Sequence, residues 1–142
     1  MTPQQLLAQS VEFGNAGDVD TNGTGWFIGF SDWARSPPAN LRHVPGDALA
    51  RGLCVKWFSH KAGDPNGEAK PVSEGRTMSM LVSPGSEFRI EFCRQPDFAA
   101  GETLAHTLRR HGDFVIWGAG VFHRAFGVEA ACVLTVRWAP LE

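Results

Sequence analysis

The sequence predicts an all-β chain folded as a barrel or jelly-roll sandwich, with one short N-terminal helix, in a single domain over 1-142. Three observations point there. About eight short strand-like runs are separated by turns rich in Gly and Pro, the texture of a closed or double-layered β fold. Only residues 2–10 carry helix signals. No repeat, low-complexity tract or linker divides the chain, and 142 residues are enough to bury a core without staples.

Taken in order, Thr2 reads as an N-cap and Pro3 as the first helical residue, with Leu6 and Leu7 facing inward. Residues 14–24 are polar and glycine-rich and read as loop. Trp26 to Phe30 is a short aromatic strand, and the prolines of residues 36–47 make an irregular stretch. Residues 53–60 form the next strand. Residues 76–83 and 87–93 follow, the second with strict alternation of Phe88, Ile90 and Phe92 on one face. The turn Pro84-Gly85-Ser86 between them predicts a hairpin. Residues 103–109, 114–117, 121–126 and 131–138 complete the set. Trp26, Trp57, Trp117 and Trp138 all fall in these strands and are expected to supply packing area.

Composition narrows the function classes. A net charge of -2 with 20% charged residues offers no clustered basic surface for nucleic acid or an anionic membrane. The one basic run, Arg109-Arg110-His111, reads as a solvated strand end. Cys54, Cys93 and Cys132 form no CxxC pair, and their strand contexts predict reduced, mostly buried thiols. The N-terminus lacks the basic and apolar segments of a signal peptide, and no apolar run approaches the roughly 20 residues of a membrane span. A cytoplasmic protein is the expectation. Neither a GxSxG elbow nor a phosphate-cradling glycine loop occurs. Residues 14–25 have partial calcium-loop composition but lack the glutamate and flanking helices of an EF-hand.

The stretch GDFVIWGAGVFHRAFG, Gly112 to Gly127, is the most informative. Gly112-Asp113 suits a tight turn, Phe114 to Trp117 reads as a buried strand, and Gly118-Ala119-Gly120 turns the chain into a second strand bearing His123. This pair, too, predicts a hairpin. Its spacing resembles the second conserved motif of the cupin superfamily, Gly, five residues, Pro-x-Gly, two residues, His, three residues, Asn, with Gly118 and Gly127 as departures. Gly52, five residues, Phe58-Ser59-His60 is similar to the opening of the first cupin motif, with Phe58 in place of its first histidine. With Gly85 as the closing glycine, Met78 holds the glutamate position. Trp57 to Gly63 and the closing Thr135 to Trp138 resemble small single-domain cupins of the RmlC-like jelly-roll type. The resemblance covers about 50-138 and implies a double-stranded β-helix, with 1-49 packed on the barrel as helix, strand and loops.

What the resemblance implies about chemistry is a cavity in the barrel, where metal-dependent cupins use three histidines and a glutamate to hold Fe, Mn, Ni or Zn. Carried over, His60 and His123 remain while Phe58 and Met78 replace the other two, so the metal site is expected to be reduced or lost and no cofactor is expected. Glu74, Asp64 and Glu68 are weaker replacements, and His106 is the best one. The alternative is therefore a metal-dependent enzyme, an oxygenase or isomerase, with His60, His123 and His106 as ligands. Strand alternation puts Lys56, Phe58 and His60 on one face and Arg76, Met78 and Met80 on one face of the next strand. If both faces point inward, Lys56 and Arg76 favour an anionic ligand; otherwise Lys56 snorkels to the rim and Met78 with Met80 fills core. Arg137 either faces the cavity as a carboxylate fork or lies on the surface. The expected partner is a small anionic or sugar-like molecule, bound by a carrier or turned over by an enzyme. Unpaired sheet edges would also suit a homodimer.

Overall fold

A computed structural model describes residues 2–21, 23–29, 50–68, 70–72 and 75–140. Its elements are a helix α1 (Pro3–Ala8) and eight strands: β1 (Val11–Asn15), β2 (Ala50–His60), β3 (Arg76–Leu81), β4 (Phe88–Cys93), β5 (Leu104–Leu108), β6 (Asp113–Trp117), β7 (Phe122–Phe126) and β8 (Ala131–Pro140). They form two antiparallel sheets, one ordered β1-β6-β3-β8-β2 and the other β5-β4-β7. The all-β class and the short helix are as the sequence predicts. Thr2 caps α1 through a reciprocal pair with Gln5, and Leu7 is buried, whereas Leu6 is exposed. No helix among the described residues is long and apolar enough to cross a membrane.

The connections differ from the sequence reading. β3 lies in the large sheet and β4 in the small one, so the Gly85 turn is a crossing between layers and closes no hairpin. The same holds for β6 and β7. Alternating apolar runs with a short turn look alike in both cases, because period 2 reports a buried face without reporting which strand lies alongside. Val11–Asn15, of which the sequence reading assigned only 14 and 15, to a loop, pairs with β6 from Val11↔Trp117 to Asn15↔Asp113. Trp26–Gly29 forms no regular strand. Phe30, Glu74 and the proline-rich 36–47 lie outside the described residues.

Two apolar layers result. Between the sheets lie Leu7, Val11, Leu81, Phe88, Ile90, Phe92, Leu108, Val115, Trp117, Val121, Ala131 and Val133. On the far face of the large sheet Met78, Met80, Phe114, Ile116 and Trp138 form a second cluster, covered in part by Val19, Phe27 and Ile28. The large sheet's central strands are thus buried on both sides, which is why Trp117 and Trp138 are buried. β2 sits at its edge instead, and there Trp57 is 65% exposed and Val55 63%; Trp26, outside the sheets, is 61% exposed. All three cysteines are free; Cys93 is buried and Cys54 exposed.

Candidate functional site

Strand register sets the floor of the site. On the inner face of the large sheet, Cys54, Arg137, Thr77 and Trp117 stand in one cross-strand row, and Lys56, Thr135, Ser79 and Val115 in the next. Phe58, Val133 and Leu81 make a third, apolar row. The small sheet faces them with Phe88, Ile90, His123 and Ala125. Between the layers lies a cavity of ≈ 270 Å³, lined by Lys56, Phe58, His60, Thr77, Ser79, Thr135, Arg137, His123 and others. The floor is hydrogen-bonded internally: Ser79 Oγ and Thr135 Oγ1 lie 3.0 Å apart, and Arg137 Nε donates to Thr77 Oγ1 at 3.3 Å.

His123 occupies the polar end. Its ring packs against Trp117 with centroids 4.9 Å apart, and its Nδ1 is buried with no hydrogen-bond partner. Burial, followed by the positive charges of Arg137, Lys70 and Lys56, lowers its pKa to about 4. The imidazole is therefore neutral at neutral pH, and the three cations line the same cavity.

His60 marks the other end. Its ring packs against Phe58 at 4.5 Å and Phe88 at 5.2 Å, and its Nδ1 lies 3.2 Å from the Asp64 carboxylate. Phe92, the register partner of His123, is four residues from Phe88 along β4, so the two histidines meet different positions of that strand.

The mouth is shaped by residues 61–68 and 70, which the sequence shows only as an insertion. This segment runs along β7: Gly63 N donates to Gly127 O, Gly67 N to Ala125 O, Lys70 N to His123 O, and Gly127 N to Pro65 O. A side chain at Gly127 would collide with the Asp64 carbonyl oxygen, so glycine at the departed motif position is what lets the segment close. The segment brings Asp64, Pro65 and Lys70 into the cavity lining. Pro65 and Lys70, with the floor hydroxyls Thr77 and Ser79, are site residues that sequence reasoning missed, while Asp64 entered it only as a weak metal ligand. The period-2 pattern of β3 carried the hydroxyls in plain view; nothing local announced Lys70.

Of the sequence-predicted residues, Lys56, Phe58, His60, His123 and Arg137 come together in this cavity. Arg76 and Met78 do not. Met78 is buried in the far-face cluster, and Arg76 pairs with Trp138 of that same face. The inner face of β3 belongs to Thr77 and Ser79, because Thr77 opposes Arg137 and Ser79 opposes Thr135. His106 is also displaced: it stacks on Phe13 at 4.1 Å, away from the cavity lining, and burial lowers its pKa.

The donor set of the cavity does not fit a tight divalent site. His60, His123 and His106 do not converge; among the described residues the one such group of metal-type ligands is Cys93, Asp97 and Glu102, on the β4–β5 connection. A metal-bound histidine normally donates its second ring N–H to an acceptor, and Nδ1 of His123 has none. Three cations lining the same cavity oppose a further positive charge.

No protein-family model and no curated protein matches the chain. Solved structures do. Streptomyces albus HEPD, with substrate 2-hydroxyethylphosphonate and Fe(II) bound, superposes with a TM-score of 0.51 at 13% identity, over 68% of this chain and 20% of that one. The hydroxypropylphosphonic acid epoxidase from S. wedmorenis in complex with fosfomycin gives 0.47 at 12% identity, over 63% and 48%. QdtA, a sugar 3,4-ketoisomerase from Thermoanaerobacterium thermosaccharolyticum in complex with TDP, gives 0.45 at 14% identity, over 63% and 60%. The chain spans only one fifth of the first of these proteins. At such identities the likeness is one of fold.

Proposed function

We propose that this protein, which has the cupin, RmlC-like fold, uses its barrel cavity to bind a small organic anion without a resident metal. The observation that carries this reading is that Arg137, Lys70 and Lys56 line one cavity together with His123. Against these three cations the lining holds a single carboxylate, Asp64, which is paired with His60. An anionic head group would settle at the His123 end, where charge-assisted hydrogen bonds from Arg137 and the lysines are available. Its apolar part would lie along Phe58, Phe88 and Ile90, the usual division of labour in a small-ligand pocket.

Calorimetric titration with inorganic phosphate and with succinate tests the reading. Binding of either, weakened about tenfold in Arg137→Gln, is the expected result, with a thermal midpoint indifferent to EDTA. Stoichiometric iron, manganese, nickel or zinc in protein purified without a histidine tag, lost in His123→Ala, would establish the metal-dependent alternative instead.

A further inference from the structure

Resting on the anion-binding reading above, we infer that His123 meets the ligand as a neutral Nε2–H donor. The ligand then carries an oxygen on the carbon beside its anionic group, as in a 2-hydroxy acid.

The tautomer comes first. A neutral imidazole has one N–H, and the two nitrogens of His123 are not equivalent. Nδ1 is shielded from the cavity and has no partner, while the ring as a whole lines the cavity. An orphaned buried N–H is rarer and costlier than an orphaned lone pair. The proton therefore sits on Nε2, the nitrogen a ligand can reach, and the ring offers a donor.

The second step is what that donor meets. Lys56, Lys70 and Arg137 line the same cavity as His123, and together they present more N–H groups than a carboxylate or phosphoryl head can accept. The head is taken by the cations, and the uncharged donor is left for an uncharged oxygen next to it. A hydroxyl fits better than a carbonyl, because a ligand O–H finds acceptor lone pairs in the Ser79–Thr135 pair of the floor. A site with a donor placed for one oxygen discriminates against the analogue that lacks it.

Malate and succinate differ by that single hydroxyl and are the probes. Titrated into the full chain at neutral pH, malate is expected to bind about tenfold more tightly. His123→Phe should bring the two within about twofold, and His123→Gln, which keeps an N–H donor, should restore the preference. Equal affinity in the wild type, or a preference that survives in His123→Phe, overturns the inference while leaving the anion site standing. Failure of malate, succinate and inorganic phosphate alike overturns the anion-binding reading itself. A readout that needs no variant is the ring nitrogen NMR spectrum of the wild type, where a proton found on Nδ1 of His123 would also sink the inference.

Discussion

At His123, burial decides the chemistry before any ligand arrives. The unfolded chain takes up a proton on this residue below its ordinary value of 6.5, whereas the folded chain resists until about 4. Because the folded value is the lower one, stability is untouched above pH 6.5 and falls as the pH drops from there toward 4. Between about pH 7.5 and about pH 5 the loss from this group is about 2 kcal/mol. Urea unfolding at both pH values should show that extra loss in the wild type and not in His123→Gln; identical pH dependence would contradict it. A second residue, Glu91, is buried on the outer face of the small sheet and held by Arg124, through Nε at 2.7 Å, and by Arg89. Arg124 in turn lies over the Phe98 ring at 4.4 Å. Glu91→Ala leaves both guanidiniums without their carboxylate and should cost about 2 kcal/mol in urea unfolding, since the arginines remain partly hydrated. Among site residues, those of β2 were legible because alternation ties Lys56, Phe58 and His60 to one face. Met78 was misassigned because β3 is buried on both faces, so an apolar side chain there does not say which layer it joins.

Elements are where the sequence was most ambiguous. Strand positions from β3 to β8 could be read from alternation and turn residues, yet partners could not. Gly85 and Gly118-Ala119-Gly120 suit a hairpin and a sheet-to-sheet crossing equally well, and only the packing of Trp117 against Phe92 and His123 across the layers separates the two. The segment that follows β2 shows the same limit: its bonds to β7 and Gly127 run to residues some sixty positions away, a distance at which local composition is silent. Its closure on β7 depends on Gly127, which leads to a concrete expectation. Gly127→Ala should lower stability by about 1–3 kcal/mol, the range for overpacked sites. It should also weaken binding of phosphate or succinate, because Lys70 and Asp64 ride on the displaced segment. Retention of full affinity would mean that Lys70 takes no part in the site.

Across the whole molecule, the large sheet separates two cores that do different work. The inner one frames the cavity; the outer one, around Met78, Phe114 and Trp138, packs under Phe27 and Ile28. Phe27 touches Phe114 with ring centroids 5.8 Å apart. Phe27→Ala should therefore cost about 1–2 kcal/mol, below the range for a fully buried Phe because Phe27 is only partly covered, while anion affinity stays within about twofold. A large loss of affinity would show that the two layers are coupled.

The segment that follows β2 and lies along β7 matters in another way. This segment supplies recognition groups from outside both sheets, and it is fastened mainly through its backbone to one strand edge. Its side chains can be rewritten, or the stretch replaced by one of different length, without disturbing the strand rows beneath. Ligand preference and scaffold integrity can in this way change independently, and an architecture of this kind can acquire a new small molecule by exchanging the residues at its rim.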